Sequence, residues 1–146
     1  MLIKKEKASN IRKIRHRNLR QGKPYSTTSY KRDEENNTFH LACILNKELI
    51  SCATFYPEKN KLFPNQKAYR LRGMATDNKY RKRGIGKKIM LQAFEEIKKK
   101  EGTLLWCNAR LVAVEFYKKL GLKIIGEQFD IPEIGPHYLM YKKINI

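Results

Sequence analysis

The sequence predicts a mixed α/β fold, and three observations carry that prediction. Two largely apolar segments, residues 39–45 and 49–56, flank the polar pair Asn46-Lys47, which is how an antiparallel hairpin is written. Two helical patterns then follow, at residues 84–100 and 110–120. Between them lies Leu104-Leu105-Trp106-Cys107, apolar at every position, as a strand buried on both faces requires. An antiparallel start followed by strands alternating with helices gives a mixed central sheet with flanking helices.

In chain order, Ser9 is placed to cap a first helix carrying Ile11, Ile14 and Leu19 on one face, and Gly22 and Pro24 end it. Residues 21–37 read as a long polar loop and 57–66 as another, with a third strand over 67–76. The helix over 84–100 carries Ile85, Ile89, Ala93, Phe94 and Ile97 at helical spacing, and Gly102 stops it. The helix over 110–120 is predicted to turn Val112, Ala113, Phe116 and Leu120 inward, with Gly121 at its end. Strands over 123–129 and 137–144, joined through Pro132, Gly135 and Pro136, complete the chain. No repeat, low-complexity tract or linker interrupts it, so residues 1–146 are expected to form a single domain.

Lys and Arg total 32 against 14 Asp and Glu, a formal net charge of +18. Such a field attracts anions: nucleic acid, an anionic membrane or a phosphate-bearing ligand. Cys43, Cys52 and Cys107 are widely separated and form no C-x-x-C pair, which fits free thiols in a reducing compartment. His16, His40 and His137 are equally scattered, so no metal site is expected. Lys4-Lys5-Glu6-Lys7 runs straight into polar sequence with no apolar stretch that fits a signal peptide, and no stretch approaches the ~20 apolar residues of a membrane span. The expectation is a soluble, cytoplasmic protein without membrane partners.

The most informative segment is Tyr80-Arg81-Lys82-Arg83-Gly84-Ile85-Gly86-Lys87-Lys88. A helix start bears exposed N–H groups and partial positive charge, and so favours acids. Here the opposite is written: from Arg81 to Lys88 five positions are cationic, and no acid lies between Asp77 and Glu95. That arrangement makes sense if an anion sits there, with the amides of Gly84 and Gly86 approaching it closely. Lys88 stands where a Walker loop needs Ser or Thr, and Ile89 where the dinucleotide fingerprint needs glycine, so neither motif is present.

The segment resembles the coenzyme A signature of the GNAT acetyltransferase superfamily, Q/R-x-x-G-x-G/A, with Arg81, Gly84 and Gly86 at the specified positions. The strand ending Gly73-Met74-Ala75-Thr76 precedes it at the family's spacing. A second resemblance follows, in Trp106-Cys107-Asn108 and then Ala113-x-x-Phe116-Tyr117-x-Lys119-x-Gly121-Leu122, where Leu122 replaces the family's usual Phe. The segment from Ile14 to Arg20, with Gly22-Lys23-Pro24, is similar to a small bacterial branch of uncharacterised members. The resemblance implies a sheet of about six to seven strands and acetyl-CoA as cosubstrate. It also implies cofactor contacts from Met74, Ala75, Arg81, Lys82, Arg83, Gly84, Ile85, Gly86, Lys87 and Lys88.

The same resemblance implies direct transfer of an acetyl group to a primary amine, in a small molecule or a protein. Tyr117 is the candidate general acid for the departing thiolate, because a protonated phenol set beside the sulfur can donate. Asn108 either hydrogen-bonds the pantetheine arm and takes part in catalysis, or caps the helix that follows. Glu127, Asp130, Glu133 and His137 are candidate bases, and the sequence does not choose among them or water. From Lys4 to Arg32, eleven Lys or Arg accompany one acid, Glu6. This basic third leaves a small nucleic-acid-binding protein as the rival reading, and a coenzyme A-binding domain without activity as a third.

Overall fold

The computed structural model describes residues 1–144. Its strands are β1 (Leu2–Glu6), β2 (Phe39–Leu45), β3 (Glu48–Pro57), β4 (Ala68–Thr76), β5 (Leu104–Arg110), β6 (Lys123–Ile131) and β7 (Gly135–Lys143). Its α-helices are α1 (Ala8–Leu19), α2 (Ile85–Lys99) and α3 (Val114–Lys119). The strands form one seven-stranded sheet in the order β1-β2-β3-β4-β5-β7-β6. All pairings described are antiparallel except β4 with β5, which is parallel, so the sheet is mixed as expected.

The chain divides into two compact units, Met1–Pro57 with Leu71–Glu96, and Glu58–Arg70 with the chain from Ile97 onward. In the first, α1 buries Ala8, Ile11, Ile14 and Arg15 on one stripe. Ile11 and Ile14 join Ala42, Cys52 and Ala75 in a small core edged by Leu19 and Leu49. Lys7, not Ser9, is the N-cap, and no side chain caps the helix. Packing of the apolar stripe, rather than a cap, therefore holds this helix. Asn46 and Lys47 both adopt positive φ (51° and 66°) and the register closes Leu45 on Glu48, as the two-residue hairpin predicted. β1 was not expected. Its Leu2-Ile3-Lys4-Lys5-Glu6 is mostly exposed and gains strand geometry by pairing with β2. Its lysines suit an edge strand, since charge there discourages pairing with other chains.

In the second unit, Ala68, Leu104 and Trp106 form a core edged by Phe63, Leu139 and Tyr141. β5 continues past its apolar run to Arg110. The helix predicted over 110–120 opens instead as a 3-10 turn, Leu111–Ala113, before α3. A 3-10 turn has fewer residues per turn than an α-helix. The predicted inward face therefore shifts: Val112 is 93% exposed, while Val114 and Tyr117 are the buried positions.

Candidate functional site

In the first unit the site residues follow from the way β4 ends. Gly73 adopts φ +65° inside the strand, and a Cβ there would lie 2.9 Å from the Tyr30 ring. Only glycine tolerates both the conformation and the contact. Met74 and Ala75 follow, half-buried and buried respectively. The Ser51 hydroxyl donates to the Ala75 carbonyl at 2.9 Å, which fixes one of its two lone pairs. Asp77 then anchors the exit. Its amide donates to the Ile50 carbonyl at 2.8 Å, and its carboxylate accepts from Arg17 (2.7 and 2.6 Å) and Asn18 (2.8 Å). Partial burial would raise the Asp77 carboxyl, but the hydrogen bonds from Arg17 and Asn18 outweigh it and hold the group below its usual range.

Past a 3-10 turn at Asn78–Tyr80, Arg81 donates from Nε back to the Thr76 carbonyl at 3.0 Å and braces the loop. Lys82 and Gly84 take positive φ (63° and 78°) on either side of Arg83. Such alternation turns successive amides toward one side, forming a concavity suited to an anion. α2 begins at Ile85, and Lys88 is the first residue whose amide reaches a helical acceptor, the Gly84 carbonyl at 3.1 Å. The amides of Ile85, Gly86 and Lys87 precede it and have no acceptor within the helix. No acid stands in the first turn. Ile85, Ile89, Met90 and Ala93 are buried and hold the helix, so the turn is rigidly presented while Arg81, Lys82, Arg83, Lys87 and Lys88 stay exposed.

The second unit holds the other candidates. Asn108 lies within β5 opposite Leu139 and is half-buried. The capping reading is corrected, because Arg110 caps the 3-10 turn and Ala113 caps α3. Tyr117 is 7% exposed on α3, with its ring edge-on to Phe116 at 5.1 Å. Burial drives its phenol well above the ordinary value, and the neighbouring Cys107 thiol adds in the same direction. Cys107 itself is pushed up to about 12 by burial, against a small opposing pull from Arg70. His137 is buried, stacks on Phe129 at 6.0 Å and directs Nδ1–H to the Gly135 carbonyl at 2.8 Å. Glu127, Asp130 and Glu133 are exposed, on β6 and in the turn after it.

The sequence reading missed a buried network in the first unit. Arg15 is bidentate to Asp33 (2.7 and 3.0 Å) and also donates to the Thr28 carbonyl (2.7 Å) and Thr54 Oγ1 (2.6 Å). His40 donates from Nε2 to the Asp33 carbonyl at 3.0 Å, so the neutral ring takes the Thr54 hydroxyl proton on Nδ1 at 2.8 Å. The signal was present in the helical spacing, which puts Arg15 on the same buried stripe as Ile11. Burial pushes His40 below its ordinary value, although its bond to the Asp33 carbonyl opposes part of that. Burial would raise Asp33, but the hydrogen bonds from Arg15 and the Tyr30 amide carry it below the carboxylate range.

Both shifts make the unfolded chain bind protons more readily than the folded one. Each contribution is therefore present at neutral pH and lost on acidification. Urea midpoints should hold steady above pH 7, decline once the pH falls below the unfolded histidine value near 6.5, and fall further below the unfolded carboxyl value near 4. The His40→Gln variant should lose the first decline and keep the second.

Among the described residues no group of His, Cys, Asp or Glu could hold a metal ion, and no helix is long and apolar enough to cross a membrane. The three thiols are free and buried.

Comparison with known proteins now bears on this geometry. The profile of the Acetyltransferase (GNAT) family matches residues 8–122. YitI, an uncharacterized N-acetyltransferase of Bacillus subtilis (strain 168), is 41% identical over 131 residues, covering 90% of this chain and 88% of the relative. An aminoglycoside 6'-N-acetyltransferase solved in complex with coenzyme A superposes with a TM-score of 0.80 at 16% identity, over 100% of this chain and 98% of that one. The aminoglycoside 6'-N-acetyltransferase of Enterococcus faecium superposes with a TM-score of 0.77 at 17% identity, over 100% and 98%. At such identities the two structures speak for the fold alone. The profile and the Bacillus relative go further, and with the helix-start turn they lead to one conclusion: this chain belongs to the GNAT family of acetyltransferases.

Proposed function

We propose that the protein transfers an acetyl group from acetyl-CoA to a primary amine, by direct attack with both substrates bound. The carrying observation is the left-handed pair Lys82 and Gly84 at the start of α2. A Cβ on Gly84 would meet nothing within 4 Å, so the cradle is open as well as cationic. Those features fit a pyrophosphate. The amides from Arg83 to Lys87, which precede the first helical hydrogen bond at Lys88, bind it, with the side chains of Arg81, Lys82, Arg83 and Lys87 supplying compensating charge. The backbone of Met74 and Ala75 aligns the pantetheine arm by strand-like pairing, and the Asn108 amide holds it.

Acetyl-CoA supplies an acyl group already activated as a thioester. The residues of this chain orient it and manage one proton. The neutral amine's nitrogen bonds to the acyl carbon, the carbon–sulfur bond breaks, the Tyr117 O–H donates to the departing sulfur, and the proton that the nitrogen sheds returns through water to the phenolate. Burial keeps that phenol protonated at any physiological pH. It also makes the phenol a weaker acid, so donation requires a sulfur that is itself made basic by its surroundings. Burial pushes the neighbouring Cys107 thiol up to about 12, and a thiolate departing beside Tyr117 would be made more basic by the same cause.

Release of free coenzyme A thiol, followed with a thiol-reactive dye over a panel of primary amines, tests the reading. Cys43, Cys52 and Cys107 are buried and should not consume the dye. Amine-dependent release is expected. Acetyl-CoA binding with no release for any amine would leave a cofactor-binding domain without transferase activity.

A further inference from the structure

Three guanidinium groups converge on one tyrosine in the first unit. Arg15, Arg72 and Arg20 lie 3.9, 4.4 and 5.8 Å from the centroid of the Tyr30 ring. The single carboxylate at this place, Asp33, is fully engaged, bidentate with Arg15 and accepting the Tyr30 amide at 2.9 Å. Among the described residues Arg20 reaches only the Leu19 carbonyl at 3.1 Å besides the ring, and Arg72 makes its contact with the ring alone. Two positive charges are therefore left over beside a buried aromatic. Both side chains are half-buried, which makes their mutual repulsion less screened than at an open surface.

Arg72 precedes Gly73, whose positive φ and missing Cβ let Tyr30 and Arg15 press against the β4 backbone. The buried Arg15 Nε has no hydrogen-bond partner and lies 3.4 Å from the position of that absent Cβ. Arg72 is also two residues from Met74, about 7 Å along a strand, and so close to the segment assigned to the pantetheine arm.

We infer that Arg72 and Arg20, mounted on Tyr30, bind a carboxylate or phosphate of the acceptor, so that the acceptor is an amine carrying an anionic group. This rests on the acyltransferase reading for its reaction but not for its binding. A guanidinium offers paired N–H donors matched to either oxyanion, and the Tyr30 ring holds it in place without neutralising it. The reaction is unchanged: the amine end of the acceptor takes the acetyl group while its anionic end is held.

The test compares four amines under saturating acetyl-CoA: L-glutamate, 2-aminoethyl phosphate, 2-aminoethanol and spermidine. The expected result is a higher kcat/KM for glutamate or aminoethyl phosphate than for the other two, and the better of these identifies carboxylate or phosphate as the group read. Arg72→Gln should raise KM for that amine about ten- to hundredfold with kcat and the acetyl-CoA Kd little changed, and Arg72→Lys should restore part of it. Preference for spermidine or aminoethanol, no turnover of either anionic amine, or a KM indifferent to Arg72→Gln would overturn the inference. Should acetyl-CoA itself fail to bind, the acyltransferase reading falls separately. Calorimetry with L-glutamate and inorganic phosphate then decides the anion site: binding lost in Arg72→Gln upholds it, and no binding to wild type rejects it.

Discussion

Tyr117→Phe should lower kcat by about a hundredfold or more, while the acetyl-CoA Kd stays within about twofold of wild type. The substitution removes one oxygen and keeps the ring, so the edge-on contact with Phe116 and the burial of α3 survive. What is lost is the proposed proton donor, a phenol that burial keeps protonated. Because the O–H is asked to act only as the carbon–sulfur bond breaks, kcat and kcat/KM should fall together. Steady-state kinetics with the best amine of the panel, alongside calorimetric titration of acetyl-CoA, gives both numbers. An unchanged kcat would reduce Tyr117 to a packing residue and hand the proton to water.

The second large effect concerns stability. Asp33→Asn should destabilise the fold by about 3–5 kcal/mol, because Arg15 is fully buried and would keep its charge without a counterion. Against ordinary domain stabilities of about 5–15 kcal/mol this is a large fraction. Asp77→Asn removes a carboxylate with equally short bonds to Arg17, yet that pair is partly exposed, with Arg17 at 46% and Asp77 at 20%. Water compensates there, so the loss should be about 1 kcal/mol or less. Urea denaturation of the two variants separates these outcomes. Equal small losses would mean that the Arg15 network is held by its other donors and acceptors. A collapse limited to Asp33→Asn would confirm that burial, not bond length, sets the magnitude.

Much of this architecture was legible because it is written locally. The turn before α2 is marked in the sequence by cations where a helix start favours acids, and the structure puts the positive-φ residues Lys82 and Gly84 there. The hairpin at Asn46-Lys47 is set by two adjacent residues. What escaped detection depends on residues far apart in the chain. β1 is polar and mostly exposed and becomes a strand only by pairing with β2. Arg15 finds Asp33 and Thr54 across 18 and 39 positions, distances over which no periodicity reports. Val112 went wrong for a local reason instead, since a 3-10 turn changes the period on which its inward placement was argued. Capping stayed open as one of two readings of Asn108 because β5 continues past the apolar run that marks its visible end.

If the turn before α2 holds the cofactor's phosphates, calorimetric titration of acetyl-CoA will distinguish wild type from Gly84→Glu. The substitution places a carboxylate in an open position above the helix start, at φ +78°, where any side chain also costs about 1–2 kcal/mol of backbone strain. A urea melt of the variant therefore accompanies the titration. Saturable binding to wild type is expected, with none to a Gly84→Glu protein that remains folded. Undiminished binding to that folded variant would place the phosphates elsewhere, and no binding to folded wild type at physiological salt would contradict the acyltransferase reading and turn attention to RNA and DNA.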